Sequence, residues 1–456
     1  MDTSVSSSSG RRLAGPRGLP VLGSFFPMLS EPLALANKLH ARYGDVSLIR
    51  VYKTPIAFLR NPVDVKRVLI DEPQTFPKPL IDNPFNGNGL TVSRGDHWKR
   101  QRHMVQPLFH KEKVRLWSGI FSEELAKSVE RWKEMGARGE SFDMYTEGAR
   151  LMFGVMWRTC FDEQPEIAYF DRIMDAIDVF GRRVSPLSVL LYNLVPRMDP
   201  RHERVYTSVK LINGWIYERI GKRRGRGTED GDITLLSMLV EAKARDSGES
   251  MNDKEVRDEI VNLFGASFEM IATSLTWAIH ACTQHPEVTQ AIRDEVQGVT
   301  GGAPPRYEDV AKMPYTHRVV QEINRLCPPA WTILRETANE VEVGGVMLPK
   351  ATQLLLCPYA IHRHPDHWKD AETFDPDRFL PERLSGMHKG AYVPFGAGSR
   401  ICVGQHMSLV DTVQTLAAVL QELDVEYLGK TPVEWQTRLT FVPKHGMPVR
   451  MRARQR

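Results

Sequence analysis

The run Phe395-Gly396-Ala397-Gly398-Ser399-Arg400-Ile401-Cys402-Val403-Gly404-Gln405 passes directly into a helical pattern from His406 onward, so it reads as a loop closing into a helix. A cysteine near a helix N-terminus has its thiolate stabilised by the helix dipole and by free backbone N–H groups. Glycines on both sides let a flat object approach the backbone closely. Phe395 can pack against such an object, and Arg400 can neutralise an acidic substituent on it. Those are the demands of haem iron held by one cysteine thiolate, which pushes electron density toward iron and favours O–O cleavage. The competing explanation, a buried structural cysteine, is the better one for a lone Cys without these neighbours.

A second chemical feature lies in the segment from Asn252 to the residue before Pro286, which reads as one helix of about 32 residues, about 48 Å long at 1.5 Å per residue. Asn252 can cap it while Glu255 reaches back, and Pro286 marks its end. Its interior, LFGASFEMIATSLTW, places the acid Glu269 in apolar company, where a carboxylate needs a partner or a function.

The cysteine segment resembles the haem-binding signature FxxGxRxCxG of the cytochrome P-450 family at every fixed position: Phe395, Gly398, Arg400, Cys402 and Gly404. Further family landmarks follow in order from Pro16-Arg17-Gly18 to the C-terminal segment. The resemblance implies heme b (iron protoporphyrin IX), with Cys402 as the metal ligand. Glu322 and Arg325 match the family's ExxR, whose spacing puts acid and guanidinium on one helix face. Phe374-Asp375-Pro376-Asp377-Arg378-Phe379 resembles the partner segment, so Arg378 should join that structural network. Trp98 and Arg102 match WxxxR and would bind a haem propionate, with Arg335 and the alternative His362 as further propionate candidates. Lys99, Arg100 and His103 would form an outward basic surface for an acidic ferredoxin.

The long helix departs from the family. Its oxygen-binding motif [AG]Gx[DE]T stands here as Ala266-Ser267-Phe268-Glu269-Met270, so the acid is kept and the alcohol is lost. In the usual scheme that alcohol supports delivery of protons to the reacting oxygen, and a methionine cannot replace the donor. Three explanations stay open. Ser267, three residues before Met270, can restore the relay directly or through a water; a hydroxyl on the substrate can supply the hydrogen bond; or the enzyme couples, rearranges or uses peroxide directly. Glu269, Ser267 and Met270 are accordingly the candidate catalytic residues. By resemblance the substrate pocket is lined by Phe85 in the loop 80–92, by the region 170–195, by Phe268 and Met270, by Ala330 to Ile333 including Trp331, and by Leu439 to Phe441 including Thr440. This mostly apolar wall suits a bulky hydrophobic molecule such as a terpenoid or polyketide.

The elements that must position these residues are mostly helical. Three- and four-residue apolar spacings predict helices at 31–43, 62–71, 114–135, 166–182, 200–223, 253–284, 286–298, 314–326 and 405–423. Val46 to Leu59 reads as a hairpin turning at Lys53-Thr54-Pro55, and Val341 to Pro349 as a second turning at Gly344-Gly345. The fold class is therefore mainly α, and the resemblance makes it the P-450 fold: one large helical domain over 15–456 with small β-sheets and a long central helix over the haem. Residues 1–14 are Ser-rich and expected to be disordered.

Composition agrees with a globular protein. The 456 residues carry 60 Lys+Arg against 56 Asp+Glu and are 42% hydrophobic, which excludes a polybasic tail protein, a disordered chain and a multi-span membrane protein. Five scattered cysteines without CxxC spacing fit neither a disulfide scaffold nor a zinc finger. The N-terminus lacks the apolar stretch of a signal peptide or membrane anchor, and Val189 to Val195 is too short to span a bilayer. The segment 221–232 reads as a solvated loop and no nucleic-acid partner is expected. We expect a cytoplasmic monomer. Without a flavin or nicotinamide fingerprint in the chain, electrons would come from an external ferredoxin and ferredoxin reductase. The function implied is O2-dependent insertion of one oxygen atom into a hydrophobic substrate of secondary metabolism. The alternatives are a peroxide-driven or rearranging haem-thiolate enzyme and a non-catalytic haem sensor.

Overall fold

The computed structural model describes residues 15–16, 18–80, 87–166, 168–174, 200–226, 232–244, 247–438 and 440–455. Residues 1–14, Phe85, Leu439 and most of the region 170–195, with the run Val189 to Val195, lie outside the described residues.

Seven helices and one sheet set up the site. The helices are α1 (Gly95–Val105), α2 (Lys111–Ala137), α3 (Met144–Phe161), α4 (Pro200–Gly225), α5 (Asp253–Gln284), α6 (Pro314–Leu326) and α7 (Gln405–Glu422). The long helix is α5, and its start is fixed as the sequence suggests. The Glu255 N–H donates to Asn252 Oδ1 (3.0 Å) and the Asn252 N–H donates to Glu255 Oε2 (2.9 Å), a reciprocal cap worth about 1 kcal/mol.

Helix α3 is absent from the sequence expectations. Residues 151–157 are all buried, so no polar face punctuates the sequence and the 3.6-residue period is lost. It packs on α5 at close range: a Cβ on Gly148 would lie 3.5 Å from Ala272 Cα. Of the expected helix 166–182, residues 168–174 are helical, and 167 and 175–182 lie outside the described residues. The expected helix 62–71 is α-helical only over Pro62–Lys66 and continues as a π-turn over Arg67–Asp71.

Strands β1 (Val46–Val51), β2 (Thr54–Leu59), β3 (Ile333–Glu336) and β6 (Gln353–Leu356) form a sheet in the order β1-β2-β6-β3; β4 (Val341–Val343) and β5 (Val346–Leu348) form the second hairpin. The first hairpin turns at Tyr52-Lys53, with Tyr52 at φ 52°, and not at Lys53-Thr54-Pro55. Pro55 sits inside β2 opposite Arg50, near the strand start where its missing N–H is tolerated. Gly344 and Gly345, at φ 57° and 76°, make the second turn as expected. On β3, alternation puts Ile333 and Arg335 on the same face.

Of the segment 221–232, expected as a solvated loop, residues 221–225 are helical and exposed except Arg223, and 227–231 lie outside the described residues. Helix α4 runs to Gly225, and Arg223 is buried, donating to Ser237 and Glu241 and lying 3.3 Å from Asp232. No helix among the described residues is long and apolar enough to cross a membrane.

Candidate functional site

Cys402 lies just before α7. Its N–H donates to the Phe395 carbonyl (3.0 Å), and Arg102 on α1 donates to the carbonyl of Ile401 (2.8 Å), so the loop is pinned on both sides of the sulfur. Gly398, at φ 71°, is required for packing: a Cβ there would lie 2.0 Å from the Leu69 carbonyl oxygen in the π-turn. Gly398 is thus needed for this packing whether or not a flat ligand lies against the loop. Gly404 is different, since a Cβ there would meet nothing within 4 Å. Phe395 is half-buried.

Among the five cysteines Cys402 alone is exposed. Burial holds Cys282, Cys327 and Cys357 at about 12, as inert thiols. Burial also raises Cys402, while the Gly404 N–H and the Arg102 charge pull it down. Open surface combined with desolvation means that the sulfur faces an interior space and not bulk water. Helix α5 shows a corresponding opening. Between the buried Phe264 and the buried Ile271, Ala266 is exposed, and Gly265, Ser267 and Met270 are half-buried.

Beside the cysteine loop four cations gather. Lys78 and Arg335 are buried or nearly so, Arg102 is buried and Arg400 half-buried; no ion pair to a carboxylate forms at any of them among the described residues. Burial first, then the charges of Arg400 and Arg335, lowers Lys78 to about 8. Arg400 falls to about 10 through burial and the charges of Arg335 and Arg102; Arg335 falls to about 10 through burial alone. Their hydrogen bonds go to neutral oxygens: Lys78 to Thr91 O, Arg102 to Gln106 Oε1 (2.9 Å), Arg335 to Leu334 O (2.8 Å) and Arg400 to Ser93 O (3.0 Å). The Arg400 guanidinium also lies 4.1 Å from the centre of the Trp98 ring, a cation–π contact. Like charges held together in low dielectric call for an anion. A flat group with two carboxylates and an iron to be met by a thiolate fits this donor set. The sequence reading missed Lys78; the available signal was a single cation between Pro77 and Pro79 in an otherwise apolar stretch.

A second charged network pairs cation with anion, although Arg378 Nε is buried without a hydrogen bond. Glu322 and Arg325, both 0% exposed, pair through two hydrogen bonds of 2.6 and 2.7 Å. Arg325 also donates to the carbonyls of His362 (3.0 Å) and Ala371 (2.7 Å), and Arg378 lies 3.4 Å from Glu322. His362 is not a propionate group. Its Nδ1 meets the Arg325 carbonyl (3.2 Å) and its Nε2 accepts from the Val393 N–H (2.9 Å), while burial lowers it to about 3.

Of the oxygen-motif side chains, Phe268 and Glu269 are buried away from the opening on α5, whereas Ala266, Ser267 and Met270 border it. Glu269, 3% exposed, accepts from Thr440 Oγ1 (3.1 Å), and Thr273 Oγ1 lies 3.2 Å from the same hydroxyl. Burial raises Glu269 to about 7, against the smaller pull of Thr440 and Arg438. Ser267 Oγ donates to the Phe264 carbonyl (2.9 Å), one turn back on its own helix. Two expected pocket residues are core. Phe268 is 1% exposed and packs on Phe264, and Thr440 is fully buried beneath Glu269. Met270, Trp331 and Ile333 are half-buried. On the basic surface, Arg100 donates to Glu255 (2.6 Å) and Lys99 to Asp96 (3.2 Å), while Lys99 and His103 are exposed.

This chain belongs to the cytochrome P450 family, whose model matches residues 13–447. It is thus an oxidoreductase of the kind that binds haem through a cysteine thiolate and uses O2 with electrons from a redox partner. Similar proteins from Streptomyces melanosporofaciens are cyclooctatin synthase, 32% identical, and cyclooctat-9-en-7-ol 5-monooxygenase, 30% identical. The former alignment covers 90% of this chain and 89% of the relative, the latter 89% and 87%. Pentalenene oxygenase of Streptomyces avermitilis is 28% identical over 89% of this chain and 90% of its own length. The fold matches a cyanobacterial CYP120A1 solved with retinoic acid bound: TM-score 0.87 and 21% identity, covering 99% of this chain and 100% of that one.

Proposed function

We propose that this enzyme is a terpenoid monooxygenase in which Cys402 is the thiolate on haem iron and Lys78, Arg102, Arg335 and Arg400 hold the two propionates, with Trp98 stacked on Arg400. The observation that carries the reading is the group of four cations without a carboxylate partner among the described residues, beside the one exposed cysteine. When bound, the haem supplies O2 activation and oxygen transfer to carbon. Cys402 keeps its negative charge with help from the Gly404 N–H and Arg102. Ala266, Met270, Trp331 and Ile333 offer apolar surface to the substrate, and Glu322, Arg325 and Arg378 hold the fold behind the site. A terpenoid is favoured over a polyketide by the three Streptomyces relatives, two named as oxygenases of cyclooctat-9-en-7-ol and pentalenene and one as cyclooctatin synthase. Electrons come from a separate ferredoxin and its reductase in the cytoplasm, docking beside Lys99 and His103.

Proton supply is the distinctive part of this reading. Met270 has no donor, Ser267 spends its proton on Phe264, and Glu269 faces Thr440. The same observation favours a second reading, direct use of peroxide, which needs no such relay. Titration of haem-loaded protein with cyclic terpene hydrocarbons, terpene alcohols and polyketides separates the possibilities. A saturable Soret shift with one terpenoid class, and product with O2 and reduced ferredoxin, are expected. A shift confined to polyketides overturns the substrate class, and product with peroxide alone establishes the second reading. Cys402→Ala should abolish the thiolate signature of the reduced CO complex; its retention would overturn the ligand assignment.

A further inference from the structure

Away from the site, helix α7 packs on α2 around a small polar cavity. It is lined by apolar Val114, Trp117, Phe121, Val155 and Met407 and by polar Ser118, Tyr307, Asp411 and Gln414. Asp411 is 4% exposed and Oδ2 has no hydrogen-bond partner. Gln414 is 1% exposed. Its Nε2 is fully used on Ser122 Oγ (3.0 Å) and the Pro305 carbonyl (2.9 Å), yet its Oε1 is likewise unpartnered. Three residues apart on α7, the two acceptors share one face. Two orphaned buried oxygens around one cavity would each cost about 1–3 kcal/mol if left dry.

We propose that this cavity is a binding site for one water molecule, bridged between a protonated Asp411 and Gln414 Oε1. The size fits: about 10 Å3 is open to the centre of a water-sized sphere, room for a single water. The chemistry fits as well. Asp411 as an acid donates its O–H to the water, the water donates to Gln414 Oε1, and its second proton can reach Ser118 Oγ or the Tyr307 hydroxyl. A bare carboxylate would be stranded, because no cation among the described residues faces it. Burial is the sole influence on Asp411 and raises it well above its ordinary range. The titratable group beside it is Tyr307, whose hydroxyl lies 3.0 Å from His406 Nε2. Beyond Tyr307, Arg115 and Glu308 neutralise each other at 3.1 Å. A monovalent cation is the competing occupant, and it requires the ionised acid.

A crystal structure of the haem-loaded enzyme, with infrared spectra and thermal melts of wild type and Asp411→Asn, tests the site. One ordered water within hydrogen-bond distance of Asp411 and Gln414 is expected, together with a carboxylic-acid C=O band that Asp411→Asn removes. The sign of the pH effect follows from linkage. Above about pH 4 the unfolded chain loses the Asp411 proton while the folded one keeps it, so wild type should lose stability relative to Asp411→Asn as pH rises. Because asparagine keeps the shape and one donor, it should also keep the water. A dry cavity, a melting temperature that tracks sodium or potassium concentration, or a gap between the two proteins that does not change with pH would each overturn the proposal.

Discussion

Two groups of charge, the Glu322 network and the cations beside the cysteine loop, obey opposite rules. In the Glu322–Arg325–Arg378 network every guanidinium finds a carboxylate or a carbonyl, and the pair is closed to water. In the Lys78–Arg102–Arg335–Arg400 group the charges meet one another and neutral oxygens, and their proton affinities fall. Both would look alike in a count of buried arginines. The difference teaches that a satisfied charge network marks the scaffold, whereas an unsatisfied one of single sign marks a place built for something else.

The contrast breaks most readily at Glu322. Glu322→Ala leaves Arg325 buried without its anion and should cost about 3–5 kcal/mol with or without haem, read as a lower denaturation midpoint. Arg335→Leu should do the reverse. It should leave the haem-free protein as stable or more so, because repulsion is relieved, while weakening haem by about 1.5–3 kcal/mol, roughly 10- to 150-fold in Kd. Equal destabilisation of both forms would place Arg335 with the scaffold.

Lys78 sharpens the comparison through pH. Its folded value of about 8 lies below its ordinary 10.5, so between those values the unfolded chain binds the extra proton and stability rises with pH. The haem-free protein should gain on the order of 3 kcal/mol over that window, and Lys78→Met should remove the gain. Bound propionates should also remove it, by restoring the charge.

Glu269 is an intermediate case, a buried acid with only neutral hydroxyl partners. Raised to about 7, it should make stability fall as pH rises from about 4.5 to 7, and Glu269→Gln should flatten that slope. The smallest effect, about 1 kcal/mol, is expected for Thr440→Val, which deletes one hydrogen bond to the acid.

How much of this was legible in the sequence follows from what each residue type reveals. Helix α5 could be read to its ends because its cap and Pro286 are local signals. Helix α3 could not, because burial on all sides erases its period. The Glu322–Arg325 pairing is short-range and survives in the spacing. Lys78 reaches the other cations only through the folding of distant segments, so nothing in its local sequence names them. Phe268 and Thr440 neighbour pocket positions along the chain, and the direction of each side chain around its helix or turn, which spacing does not give, puts both in the core. The loss of the usual alcohol at Met270 was plain in the sequence, but the commitment of the Ser267 proton to Phe264 was visible only in three dimensions.

Two glycines of the segment before Cys402, Gly390 and Gly398, also bear on chain length. A Cβ on Gly390 would lie 2.0 Å from the Pro62 carbonyl oxygen, and one on Gly398 equally close to that of Leu69. The helix over Pro62–Lys66 and the π-turn after it are thus indexed at both ends against the strand of chain that delivers the cysteine, like two notches on a gauge. Each residue of an α-helix advances the backbone by about 100° and 1.5 Å. Removing one residue from the π-turn would restore regular helix yet put the two notches out of phase, so insertions and deletions should be tolerated far less between Pro62 and Asp71 than point substitutions at the same positions.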